Sequence, residues 1–166
     1  MLIGGGRIGH HLKKRLLKAG AGVKIIEKNP ERARALAEEF PKAEVVLADG
    51  SKQDILQDEG ITSADALVTL TDIDEENMIV SMFANKMGVK KTITQIKSDE
   101  LYDMLGELGI ENNVSPKNVV ADRIVSYVRA MANKRGSNIV TVYRLVNGQV
   151  EALEFNAKGK ESFFGK

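Results

Sequence analysis

Short apolar runs alternate with longer stretches of helical spacing along the first two-thirds of the chain. The runs predict strands over residues 1–3, 23–27, 44–48, 66–70 and 91–96, with a brief sixth at Asn113–Val114. Between them lie helices over 7–19, 30–39, 52–59, 73–87 and 99–108. The first carries Ile8, Leu12, Leu16 and Leu17 on one face and is ended by Gly20 and Gly22. Asn29-Pro30 and Ser98 are good helix starts, because their side chains or fixed φ suit the first turn. Strands alternating with helices predict right-handed crossovers and a doubly wound parallel α/β sheet, Rossmann-like and six-stranded. Ligands bind such sheets at the carboxyl ends of the strands, where the strand order reverses.

After Pro116 the pattern changes. Residues 117–134 predict one long helix in which Val119, Val120, Ile124, Val128 and Met131 are apolar, widened by Val125 and Tyr127. So wide an apolar surface favours a partner subunit over simple packing on its own sheet. Two β-type runs follow, 139–146 and 149–155, joined at the hairpin signal Asn147-Gly148. The domain expectation is a nucleotide-binding unit over 1–115, a crossover helix over 116–136 and the start of a small second domain over 137–166. The short first strand and the early end of that second domain suggest a piece of a longer protein.

The chemistry concentrates at the start. Gly4-Gly5-Gly6-Arg7-Ile8-Gly9 reads as Gly-x-Gly-x-x-Gly between an apolar strand and a helix, with Glu27 ending the next strand. Gly4 permits the turn, Gly6 lets the main chain approach a pyrophosphate, and Gly9 lets the helix pack on the sheet. The helix N-terminus directs backbone N–H groups and positive dipole at phosphate. Glu27 can accept hydrogen bonds from ribose hydroxyls and would repel a 2′-phosphate, which favours NAD or adenosine ligands over NADP. Asp49, Thr69, Thr71, Asp72 and Lys97 also fall at strand ends, although turns are polar for their own reasons.

Composition narrows the classes. The chain has 166 residues, a formal net charge of +1, no cysteine and two histidines. Disulfides and thiolate chemistry are excluded, a zinc site is disfavoured, and nothing electrostatic calls for nucleic acid. No apolar run approaches the roughly 18 residues that span a bilayer, and no signal peptide is visible, so a soluble cytoplasmic chain is expected. Catalytic furniture is sparse. Tyr127-Val128-Arg129-Ala130-Met131 lacks the lysine of the Tyr-x-x-x-Lys dehydrogenase pattern, and His10 and His11 lie in the first turns of a helix. Asp72, Asp74 and Glu75 open a helix, where acids serve the dipole. A non-enzymatic sensor is expected. The alternatives are an NAD-dependent oxidoreductase fragment without its substrate domain and a remnant that has lost its ligand.

The segments Gly4-Gly5-Gly6-Arg7-Ile8-Gly9, Ile26-Glu27-Lys28-Asn29-Pro30, Ala48-Asp49-Gly50, Gly60-Ile61, Leu70-Thr71-Asp72, Glu76-Asn77-Met78 and Val114-Ser115-Pro116 resemble the RCK (KTN) domains of bacterial potassium transport. The likeness covers about residues 1–135 and is greatest to the second such domain of TrkA-type regulatory subunits. The resemblance implies binding of NAD(H) or ATP/ADP, homodimers within a larger ring, and gating of a membrane potassium-translocating subunit. It places the chain at the inner face of the membrane through that partner, without direct insertion. It implies that Gly4, Gly6 and Gly9 cradle phosphate, with Arg7 and Ile8 lining the loop. Glu27 would hold ribose with Lys28 alongside, Asp49 and Gly50 would lie near adenine, and Thr69, Thr71 and Lys97 would face the distal part of the ligand.

Overall fold

Six strands pair in parallel and order themselves β3-β2-β1-β4-β5-β6, the central ones β1, β2 and β4 apolar on both faces. They belong to a computed structural model that describes residues 1–133, 139–145 and 150–155. The chain divides into two units, Met1–Pro116 and Lys117–Lys166. In chain order the first unit contains β1 (Leu2–Ile3), α1 (Arg7–Lys18), β2 (Lys24–Glu27), α2 (Pro30–Glu39) and β3 (Glu44–Leu47). It continues with α3 (Gln53–Asp58), a 3-10 turn (Ile61–Ser63), β4 (Ala66–Thr69), α4 (Asp74–Lys86), β5 (Lys91–Gln95), α5 (Asp99–Met104) and β6 (Asn113–Val114).

Two hydrophobic layers follow from the alternation of side chains along each strand. Leu2, Ile25 and Val68 pack with Leu36 and Leu70, covered by Leu12, Leu16 and Leu17 of α1. Ile3, Ile26 and Leu67 face the other way, against Leu56, Val80, Phe83 and Ala84. β1 is the central strand. It pairs with β2 through Leu2–Ile25 and Ile3–Ile26, and with β4 through Leu2–Val68 and Ile3–Thr69. The strand order therefore reverses between β1 and β4, which places the crevice above Gly4 and the residues after Thr69.

Most element ends lie within a residue or two of the sequence expectation, the usual scatter of hydrogen-bond ladders. Two differences have physical causes. Ile8 does not join the apolar face of α1; it is 43% exposed, while Leu12, Leu16 and Leu17 do pack inward. Helix α5 stops at Met104 instead of running to Leu108. Leu105 and Ile110 both insert into the cluster with Met78 and Ile96, which requires the chain to reverse between them. Gly109, at φ +71°, and the bond from Ile110 N–H to the Leu105 carbonyl close that reversal.

In the second unit, α6 (Pro116–Asn133) begins at the last residue of the first unit and carries Val119, Val120, Ile124, Tyr127, Val128 and Met131 exposed. β7 (Ile139–Leu145) and β8 (Val150–Phe155) pair antiparallel, from Leu145–Val150 to Ile139–Phe155. The expected turn at Asn147-Gly148 and the helix end at Lys134 lie outside the described residues.

Leu56 has no exposed surface and sits at the centre of the larger cluster. Leu56→Ala is expected to cost about 2–5 kcal/mol of stability, read as a lower urea midpoint with the slope of the transition unchanged.

Candidate functional site

The three glycines of the loop serve three different ends. Gly4 has φ +96°, and a Cβ there would lie 2.9 Å from the Leu70 carbonyl oxygen. Its own N–H bonds the Ile26 carbonyl at 2.9 Å, so the turn is seated on both neighbouring strands. At Gly9 a Cβ would come within 2.5 Å of the Gly4 carbonyl oxygen, so only glycine lets α1 cross the turn this closely. Gly6, the N-cap of α1, would meet nothing within 4 Å, and no side chain caps the helix. The main chain at Gly6 thus stands open to a ligand, at the end of a helix whose first N–H groups suit an anion.

Gly5 adds a constraint outside the Gly-x-Gly-x-x-Gly spacing. A Cβ there would overlap Leu36 Cδ1 and lie 3.1 Å from Glu27 Oε2. Glu27 ends β2, is 2% exposed, and is turned into the loop. Its Oε2 accepts from Gly5 N–H at 2.7 Å and its Oε1 from Asn29 N–H at 2.7 Å. Arg32 Nη1 stands 3.4 Å from Oε2. One buried carboxylate therefore holds the loops after β1 and β2 together, and any ribose contact adds to that task. Asn29 in turn caps α2 by accepting from Arg32 N–H at 2.8 Å.

Two cavities meet at Gly6. The cleft over the switch point, about 280 Å³, is lined by Gly4, Gly6, Glu27, Lys28, Asp49, Gly50 and Thr71 among the expected residues, and by Arg32, Asp72 and Glu76 besides. The second, about 430 Å³, lies along the outer side of the loop and is lined by Gly6, Arg7, His10, Arg32, Glu39 and Asp72 among others. His10 and Glu39 close its wall with a hydrogen-bonded contact of 2.8 Å between α1 and α2. At the other cavity's mouth Lys28 and Glu76 approach to 3.9 Å. Asp49 accepts from the Ser51 hydroxyl at 2.7 Å and the Ser51 N–H at 3.1 Å, which holds its carboxyl below the usual range.

Four expected residues lie elsewhere. Thr69 is fully buried below the cleft, its hydroxyl 3.4 Å from that of Ser81, because side chains of β4 alternate and Thr69 faces α4. Gly9 packs against the turn and Ile8 is exposed; neither lines either of these two cavities. Lys97 reaches the site only through Asp72, with Nζ at 2.9 Å from Oδ1 and 3.3 Å from the Asp72 carbonyl. That hydrogen bond, followed by the charge itself, holds the Asp72 carboxyl below its usual range. Arg32 carries no sequence signal beyond standing in the first turn of a helix that begins at a strand end, and Glu76 belongs to the Glu76-Asn77-Met78 segment of the resemblance, which assigned it no role. Asp74 does more than serve a helix dipole, since its Oδ2 accepts from the N–H groups of Lys97 and Ser98, each at 2.8 Å.

A doubly wound sheet with a glycine loop at its switch point defines a Rossmann-like α/β domain with a ligand crevice. The family model for the TrkA-N domain matches residues 1–116, and the chain belongs to that family. Over 162 residues it is 35% identical to the Trk system potassium uptake protein TrkA of Vibrio alginolyticus, a match covering 98% of this chain and 34% of that protein. The chain thus spans about a third of the length of that relative. In fold it is similar to the Kef CTD of Shewanella denitrificans in AMP-bound form, with a TM-score of 0.65, 17% identity and 79% of each chain covered. It is also similar to the GsuK channel bound to NAD, with a TM-score of 0.64, 16% identity, and 88% of this chain and 25% of that one covered.

The glycine geometry separates two substitutions. Gly9→Ala is expected to destabilise the domain by about 1–3 kcal/mol through overpacking, whereas Gly6→Ala should leave the denaturation midpoint near that of the parent chain. The Asp72 carboxyl is depressed, so its bond to Lys97 is intact above the ordinary aspartate value and is lost only as pH falls through the lower folded one. Lys97→Met should move the Asp72 titration upward, towards about 3.9, in a carbonyl-detected NMR pH series.

Proposed function

We propose that this chain is the nucleotide-sensing part of a cytosolic regulatory subunit of a potassium uptake system, and that its cleft takes NAD(H) or an adenine nucleotide such as ATP or ADP. The observation that carries the reading is the open main chain at Gly6, facing the crevice at the start of an uncapped helix. Phosphate would sit there, on the amides of the first turn of α1. Arg7 and Arg32 supply positive charge beside it. Glu27 and Asp49 offer acceptors to ribose and adenine at the β2 and β3 ends, and Thr71 borders the distal part. The TrkA relative's role in potassium uptake and the AMP and NAD held by proteins of similar fold support this assignment.

The role is binding rather than catalysis. A nucleotide favoured by one arrangement of paired domains shifts the pair towards it by no more than its differential affinity. A second copy of the chain would meet the exposed apolar face of α6 within a larger ring. A membrane-embedded potassium-translocating subunit would receive the motion and would hold the chain at the inner face of the membrane. Among the described residues, no helix is long and apolar enough to cross a membrane. In domain terms, 1–115 senses, 116–136 crosses over, and 137–166 opens a further small domain.

Parallel calorimetric titrations with NAD, NADH, ATP and ADP test the reading. At least one should saturate with one-site behaviour. Gly6→Val, whose Cβ has no protein atom within 4 Å, should weaken that ligand by about tenfold or more (about 1.4 kcal/mol) while melting like the parent chain. An unchanged affinity would defeat the site assignment.

A further inference from the structure

Thr71 and Asp72 form a wall of the cleft between the end of β4 and the start of α4, where their own segment supplies only contacts of the Thr71 hydroxyl, with the Ile73 carbonyl at 3.1 Å and the Ile73 N–H at 3.3 Å. What ties Thr71 to the neighbouring elements is Asn77, one turn into α4 and with no exposed surface. Its Oδ1 accepts from Thr71 N–H at 3.0 Å and from the Thr71 hydroxyl at 2.9 Å. Its Nδ2 donates to the Thr71 carbonyl at 3.2 Å and to the Gln95 carbonyl at 3.0 Å. Every polar group of Thr71 is thereby addressed by one amide, which also reaches the end of β5. The Asp74 carboxylate completes the join through the N–H groups of Lys97 and Ser98, and Lys97 returns to Asp72. Neither Asn77 nor Asp74, Lys97 nor Ser98 lines the cleft.

We propose that Asn77 is a positioning residue for the distal half of the ligand site: it holds Thr71 in place and, with Asp74, makes the cleft wall and the β5–α5 turn one mechanical unit. The proposal rests on the nucleotide reading above. The adenine, ribose and first phosphate are served by Gly6, Glu27 and Asp49, which Asn77 does not touch. A dinucleotide extends across the switch point to the β4 side, where the wall stands. Loss of Asn77's grip should therefore injure binding of the second half selectively. A ligand seated against Thr71 should also be felt at the Lys97 and Ser98 amides, which it does not contact.

Asn77→Asp tests this, because it preserves shape and both acceptor bonds to Thr71 while turning the donor into an acceptor against two carbonyls. AMP and NAD are titrated into the parent chain and the variant. NAD should weaken by about tenfold or more with AMP changed by less than about twofold. Equal weakening of both, the mark of general damage, or no change in NAD would overturn the proposal. Should the variant fail to fold, amide exchange of the parent chain decides: NAD, unlike AMP, should slow exchange at Lys97 and Ser98, and unaltered exchange there would overturn it. Failure of the unaltered chain to bind either ligand would be seen before any variant is made, and would remove the nucleotide reading together with the proposal.

Discussion

The close crossing of α1 over the turn after β1 is the contact on which the site depends. Gly9 lies so near the Gly4 carbonyl that any side chain would push the helix off. With that contact made, the helix begins at Gly6 and its N-terminal amides face the crevice between β1 and β4. Helix dipole, open main chain and strand reversal then coincide in one place. Each alone is common; their superposition suits a phosphate group.

Around that contact the loops are held by a few buried polar side chains instead of by apolar packing. Glu27 ties the loop after β1 to the one after β2. Asn77 and Asp74 tie the loop after β4 to the one after β5. Loops at the mouth of a parallel sheet carry backbone N–H and C=O groups that neither ladder nor solvent fully satisfies, and buried carboxylate and amide groups supply the missing partners. The same side chains that pair the backbone shape the cleft, so stability and ligand geometry are coupled there. The Oδ1 of Asp74 is buried without a partner, a cost tolerated beside the two N–H bonds that its other oxygen accepts.

The ion pairs at the rim play a smaller part. Lys28–Glu76 and Lys97–Asp72 are largely solvent-exposed contacts, worth little to stability. Their value lies in where they hold charge: Asp72 borders both cavities, and Lys97 reaches it from outside. A site built this way has, on the α1 side, a glycine loop seated by close packing and, on the β4 side, a wall tied to its neighbours by hydrogen bonds. That asymmetry suits the proposed sensing role, since the wall is joined to the end of β5 through the Asn77 side chain.

Much of this was legible in the residues alone. Two-sided apolar runs alternating with helical spacing determined the doubly wound class, because a strand covered on both faces and followed by a helix has few other ways to bury its surface. The glycine spacing determined the loop, since its backbone requirements are local: a positive φ at Gly4, a missing Cβ at Gly9 and an open one at Gly6. Tertiary structure alone decided where polar side chains turned. Thr69 and Thr71 are two residues apart, yet one is sealed against Ser81 and the other lines the cleft. Lys13 of α1 is buried with its ammonium 3.4 Å over the Phe40 ring, and burial pushes its pKa down. Asn77 and Asp74 gained their roles in part from the end of β5 and the turn after it, 18 or more residues away in sequence. Spacing along a chain fixes which face a residue occupies; it does not say which backbone group will be left wanting a partner there, because that depends on how separate loops meet.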